Sequence, residues 1–178
     1  MRQNKAFLKF RGRQLYEFPL DILTSYCDEI LISSSDPAFH TTNYPPVIDE
    51  YPGKGPMGGI YSCLKKARNK YSLVLPCDLP LLDHTIIDIM LRDYLQFDTT
   101  VVLNENDLPE PLVGIYSENL IPIMQKLLES GILKLLDLLS SVNTRYIDLK
   151  KEGYEIIAGC FKNINNIKDY KELILRYG

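Results

Sequence analysis

Two hydrophobic periods alternate along this chain, and that alternation constrains its fold more than any other feature. Short aliphatic runs, Glu29-Ile30-Leu31-Ile32-Ser33, then Ser72 to Leu75, then Thr99 to Leu103, are separated by segments with helical spacing. Runs of that length and β-branched content read as buried strands of parallel type. The intervening stripes are Leu15, Pro19, Ile22, Leu23 and Tyr26, then Ile60, Leu64 and Ala67, then Ile86, Ile87, Met90, Leu91 and Tyr94. Strand and helix in alternation predict an α/β sheet. Pro19 falls beyond the first turn of its expected helix, where a missing N–H would kink it.

After Leu103 the pattern changes. Asn104-Glu105-Asn106-Asp107 is rich in turn formers, and Pro111 to Tyr116 is expected to return as an antiparallel neighbour of Thr99 to Leu103. Ser117 is placed to cap a helix through Ser130 that Gly131 ends, with a second helix following to Ser140. Asn166, with Asp169 three residues on, predicts a capping box for the last helix. No repeat, low-complexity tract or linker interrupts the sequence, so residues 1–178 are expected to form a single domain.

Composition narrows the function. With 178 residues, 46% of them hydrophobic, the chain can bury one core without a disulfide or metal staple. A formal charge of −3 lacks the broad basic field that nucleic acid or an anionic membrane surface attracts, so neither is an expected partner. The leucine-rich stretch Leu120 to Leu139 is broken by Lys126, Glu129, Lys134 and Asp137, which excludes a spanning helix there. Positive charge gathers only at the amino end, in Arg2, Lys5, Lys9, Arg11 and Arg13, as a solvated surface or as a cradle for a small phosphorylated ligand. Cys27, Cys63, Cys77 and Cys160 form no CxxC pair, and His40 and His84 are the only histidines, too few for a zinc site. A hard cation on carboxylates and phosphate oxygens fits better, and a reducing cytoplasm is the expected compartment.

In open α/β sheets ligands bind beyond the carboxyl ends of the strands, which singles out two turns. Asp49-Glu50-Tyr51-Pro52-Gly53-Lys54-Gly55-Pro56-Met57-Gly58-Gly59-Ile60 leads from a short strand, Val47-Ile48, into a helix. Its four glycines suit an anion at a helix amino terminus, or a plain turn with close helix packing. Leu75-Pro76-Cys77-Asp78-Leu79-Pro80 holds a carboxylate between prolines at a strand tip, suited to Mg²⁺ or to an Asx turn. Cys77 has no histidine beside it in sequence to make it a nucleophile.

Met1-Arg2-Gln3-Asn4-Lys5, Gly55-Pro56-Met57-Gly58-Gly59-Ile60, Pro76-Cys77-Asp78-Leu79-Pro80 and Phe161-Lys162-Asn163-Ile164-Asn165-Asn166 occur in this order. Together they resemble the molybdenum cofactor guanylyltransferases, which join GMP from GTP to molybdopterin and release pyrophosphate. The resemblance implies a Rossmann-like nucleotidyltransferase fold, a mostly parallel mixed sheet with helices on both faces, and an Mg²⁺-dependent transferase. It implies that Lys5 contacts the nucleotide phosphates, that Gly55 and Gly59 line the cleft, and that Asp78 holds Mg²⁺ with Asp49 beside it. Lys134, Asn163 and Asn165 would face the pterin. GTP and molybdopterin would be the substrates, with proteins of the cofactor pathway as further partners. Two rivals stand beside it: a CTP-dependent relative acting on another pterin or phosphorylated acceptor, and a catalytically silent paralogue that binds without turnover.

The sequence departs from that family's pattern in three ways. Arg2 stands where glycine is usual, and Ser35 where an asparagine often helps to read guanine. The family's first strand and its glycine-rich loop have no counterpart before Met1. A central strand is hydrogen-bonded on both edges, so a longer natural chain or a partner is expected to supply it.

Overall fold

The computed structural model describes residues 4–44, 46–155, 160–161, 163–164 and 166–178. In chain order its elements begin with β1 (Lys9–Phe10), β2 (Arg13–Gln14), α1 (Glu17–Tyr26), β3 (Ile32–Ser33), β4 (Pro46–Val47) and α2 (Gly55–Lys66). There follow β5 (Tyr71–Val74), α3 (His84–Met90), β6 (Thr99–Leu103) and β7 (Pro109–Ser117). The chain closes with α4 (Ile121–Glu129), α5 (Leu135–Ser141), β8 (Thr144–Ile147) and α6 (Ile167–Tyr177).

Among the described residues the strands form two small sheets, β1-β2 and β3-β4, and a mixed four-stranded sheet of order β5-β7-β6-β8, with β7 antiparallel to both β5 and β6 and β8 parallel to β6. Strands β5, β6 and β8 therefore run one way and β7 alone runs back. The return of β7 beside β6 is the antiparallel excursion that the turn sequence predicts. Asn104 makes that turn, its side-chain oxygen accepting from the N–H groups of Asn106 and Leu108, at 2.9 and 3.1 Å. Near the middle the pairing steps from Val101↔Gly114 to Val102↔Glu110, so part of β7 bulges out. The buried Tyr116 hydroxyl donates to the carbonyl of Pro111 inside that bulge, at 2.5 Å.

Alternate residues of each strand enter different cores, as the two-residue period of a strand requires. Val102, Val113 and Ile115, with Leu73 of β5, pack against α3 and Ile22 of α1. Val101 and Tyr116, with Val74, pack against α2, α4 and α5. Helices thus cover both faces. A third cluster joins Phe10 and Leu15 to Ile164 and Leu173, tying the β1–β2 hairpin to α6.

Some boundaries move for identifiable reasons. Helix α1 starts at Glu17, which puts Pro19 in the first turn, where its absent N–H has no helical acceptor to miss. The expected kink does not arise. Helix α3 stops at Met90, and Tyr94–Gln96 forms a separate single turn after Asp93 enters the left-handed region (φ 57°). Asn166 and Asp169 do form the reciprocal capping box.

Glu29 to Ser33 differs most from its sequence reading. Only Ile32–Ser33 is paired, in parallel with β4, and Ile30 to Ser33 is partly or well exposed. All four residues of β5 are likewise half-buried, whereas four of the five in β6 are buried. The cause is a cavity of about 850 Å³ between Ile30–Ser34 and Lys70–Cys77, floored by α1 and α2. Both segments turn one edge toward it.

Candidate active site

Asp78 and Lys5 meet across 73 positions of sequence. The lysine Nζ lies 3.1 Å from Asp78 Oδ2, with side chains 34% and 16% exposed. Asp78 follows β5 and Pro76, and its main-chain oxygen accepts from the Ile164 N–H at 3.3 Å. Position 163 is thereby brought next to it, and Asn163 is exposed there. Lys5 opens the single turn Lys5–Phe7, which Asn4 caps by accepting from Ala6 N–H at 3.1 Å. The Asn4 amide also donates to Asp36 at 2.8 Å. Bonds from the Ala38 N–H and from Asn4 hold the Asp36 carboxyl below its ordinary range.

Asp49 follows β4 as Asp78 follows β5, and it accepts from the Ser33 hydroxyl at 3.0 Å. The glycine-rich turn behind it bends through Gly53 (φ 74°) and through Gly55 (φ 65°), the first residue of α2, both in conformations that favour glycine. Gly59 is needed for another reason. A Cβ there would collide with the Ser33 hydroxyl, so the glycine lets α2 lie directly on β3. Gly59 lines the cavity.

One group was not legible in the sequence. Glu110, on β7, is half-buried, and burial pushes its carboxyl up, with Glu105 and Asp78 adding to the effect. The Asn104 amide donates to it at 2.8 Å and opposes the rise. Asp78 therefore sits in the field of a second carboxyl. The position of Glu110 in a strand, after an acidic turn, gave no local signal.

Among the described residues no three His, Cys, Asp or Glu side chains gather as a metal cage. The arrangement is one cation paired with one sheltered carboxylate after β5, at the carboxyl edge of a sheet, while the glycine-rich turn follows Asp49 at the end of β4. Such an edge receives phosphorylated ligands.

Comparison with known proteins decides the family. The model of the MobA-like NTP transferase domain matches residues 1–144. The chain belongs to this family. A relative from Halalkalibacterium halodurans, named probable molybdenum cofactor guanylyltransferase, is 31% identical over 177 residues, which cover 94% of this chain and 88% of the relative. Molybdopterin-guanine dinucleotide biosynthesis protein A from Archaeoglobus fulgidus superposes with a TM-score of 0.78 at 20% identity, covering 94% of this chain and 87% of the other. The 2-C-methyl-D-erythritol 4-phosphate cytidylyltransferase of Thermus thermophilus does so with 0.71 at 16%, covering 96% and 92%. These two likenesses show the fold, that of Rossmann-like nucleotidyltransferases.

In this MobA-like domain the thiols are not poised for attack. Burial pushes Cys77 up, with Asp78 adding to it, and pushes Cys63 up to about 11, with Asp49 adding to it. Both are protonated near neutral pH. Lys134 stands at the amino end of α5, exposed, and among the described residues no hydrogen bond or ion pair links it to Lys5, Asp49 or Asp78. Asn165 lies outside the described residues. No helix among them is long and apolar enough to cross a membrane.

Proposed function

We propose that this chain transfers GMP from GTP to molybdopterin, forming the guanine dinucleotide and releasing pyrophosphate. The Lys5–Asp78 pair at the carboxyl end of β5 carries the reading, taken with membership in the MobA-like family and the names of its relatives. In the reaction an oxygen of the pterin phosphate attacks the α-phosphorus of GTP, the bond from that phosphorus to the bridging oxygen breaks, and pyrophosphate leaves with the electron pair. The acceptor supplies the nucleophile, so protonated thiols are no obstacle. What the protein must supply is positioning and neutral charge balance.

Lys5 binds phosphate oxygens and offsets their charge. Asp78 fits Mg²⁺, because its carboxylate is a hard donor, sheltered, and anchored through its own carbonyl. An ion with one or two protein carboxylates, completed by phosphates and water, matches a site whose described residues form no three-donor cage. When bound, it neutralises charge on the phosphate oxygens. Asp49 serves as the second carboxylate, and the N–H groups around Gly55 and Gly59 face the nucleotide. Asn163, Asn165 and Lys134 serve the pterin side. Four cysteines free of disulfides suit a cytoplasmic setting.

The test is a nucleotide panel. With Mg²⁺ and molybdopterin present, pyrophosphate release is measured for GTP, CTP and ATP. Release with GTP at least tenfold faster than with CTP is expected. A preference for CTP moves the assignment to a cytidylyl transfer, and nucleotide binding without release from any of the three makes the chain a silent binding paralogue.

A further inference from the structure

Glu110 is held more firmly than the end of a strand requires, and the proposed reaction leaves it without a role. It lies between Pro109 and Pro111, whose rings fix their backbone torsions, where β7 bulges and Glu110 pairs with Val102. The Asn104 amide donates to its Oε1 at 2.8 Å, and the Asn104 oxygen in turn accepts from the N–H groups of Asn106 and Leu108, so that amide has one orientation. Oε2 is different. Among the described residues it accepts no bond, although a carboxylate can take about four. The charges that act on Glu110, those of Glu105 and Asp78, are both negative, and the described residues include no three-donor group for a metal. A half-buried anion so placed is completed by an N–H donor from outside the chain.

Its place across the strands says which ligand brings that donor. Asp78 follows β5. On one side of β5, across the cavity that Gly59 lines, are β3 and β4 with Asp49; on the other side is β7, with Glu110. The charge of Glu110 is also felt at Cys160, four residues before Ile164, whose N–H donates to the Asp78 carbonyl. The nucleotide contacts and Glu110 therefore flank Asp78 from opposite sides. With GTP on the Asp49 and Gly59 side and its α-phosphorus at Asp78, the acceptor brings its phosphate to Asp78 from the β7 side. The remainder of the acceptor then lies within reach of Glu110.

Resting on the reading above, we propose that Glu110 selects the acceptor: its carboxylate takes the paired N–H donors of a 2-amino-4-oxopyrimidine ring, the edge that a pterin carries. Guanine has the same edge, but the position of Glu110 beyond Asp78 assigns it to the pterin. A ring of the same outline with oxygen in place of the amino group sets lone pairs against the carboxylate, and a site built for N–H donors rejects it. Asn104 is the positioning residue, because it fixes which oxygen is left free.

The experiment uses the 178-residue protein and two small probes, 6-hydroxymethylpterin and its 2-oxo counterpart 6-hydroxymethyllumazine. Each is titrated at pH 7 and followed by NMR at the side-chain amide of Asn104. The pterin is expected to bind at least tenfold more tightly than the lumazine and to shift that amide. Glu110→Gln keeps an oxygen for Asn104 and turns N–H groups toward the ligand, so the preference should fall below twofold. Titration calorimetry with Mg²⁺ should show the GTP affinity of the variant within twofold of the parent's. No binding of either probe to the parent, or equal binding of both, overturns the proposal. So does a Glu110→Gln protein that still prefers the pterin tenfold, and so does a loss confined to GTP, which would give Glu110 to the guanine. None of these readouts requires transfer, so a nucleotide panel without pyrophosphate release counts against the reaction and not against selection by Glu110.

Discussion

At the residue scale the proposed chemistry rests on the ion pair of Lys5 and Asp78, two side chains that local structure already restrains. Asp78→Ala is expected to lower kcat/KM for GTP about 100-fold, or about 2.7 kcal/mol, because it removes the hard donor. Its thermal midpoint should stay within about 3 °C of the parent, since the bond from Ile164 goes to the main chain and survives. Calorimetry with steady-state pyrophosphate release checks both. Lys5→Met keeps the length of the side chain and removes its charge. Titration calorimetry should show GTP binding weakened about tenfold, or about 1.4 kcal/mol, with guanosine binding unchanged. Equal losses for the two ligands would reduce Lys5 to a support.

Glu110 gives a pH signature. Its folded-state carboxyl titrates above the unfolded one, so the folded protein holds that proton more tightly. The stability this provides is full below the unfolded pKa and is lost as pH rises through the folded pKa, after which a half-buried charge opposes folding. Glu110→Gln retains an oxygen for Asn104 and has no charge to bury. Its thermal midpoint should therefore exceed the parent's at pH 7 and match it at pH 4, measured by scanning calorimetry in the two buffers.

At the element scale the contact of α2 with β3 turns on an absent methyl group. Gly→Ala in an ordinary helix interior gains about 1 kcal/mol. At Gly59 the same change drives a Cβ into the Ser33 hydroxyl, so Gly59→Ala is expected to cost about 1–3 kcal/mol in urea denaturation. Ser33→Ala in the same chain should recover part of that loss, and the double-mutant cycle measures the coupling. Several elements were legible in the sequence, each by its own signal: α2 by one apolar stripe, β6 by a short apolar run buried on both faces, and α6 by its capping box. The β1–β2 hairpin and β8 were not. Two residues per strand carry no period, and β8 exists only because β6 offers it an edge.

At the scale of the whole molecule the sheet order decides what was legible in the site. Turn chemistry marks the carboxyl ends of strands, which is why Asp49 and Asp78 stand out from the amino-acid sequence alone. Partners that arrive from distant strands leave no such mark. The charge of Asp78 is felt at Glu110 only because β7 reverses and bulges between β5 and β6, and Asn4 meets Asp36 only through tertiary closure. Lys134, chosen for its place in sequence, stays unlinked to the ion pair for the same reason: α5 packs on α4 and β7 and is not anchored to that edge.

The reversal of β7 also sets an order of assembly. Strands β6 and β7 are joined by the short turn at residues 104–108, so their pairing closes a small loop, whereas β5 and β7 are separated by α3 and β6. Short loops close first, because closure entropy grows with length. The β6–β7 hairpin, held by the Asn104 turn, is therefore expected to be the nucleus on which β5 and then β8 condense. Stopped-flow refolding of Asn104→Ala should show a slower folding limb with a nearly unchanged unfolding limb, and Asn166→Ala, at the cap of α6, the reverse. Folding of this chain is thus expected to start at a turn of asparagines, between β6 and β7 and not on the strand that leads to Asp78.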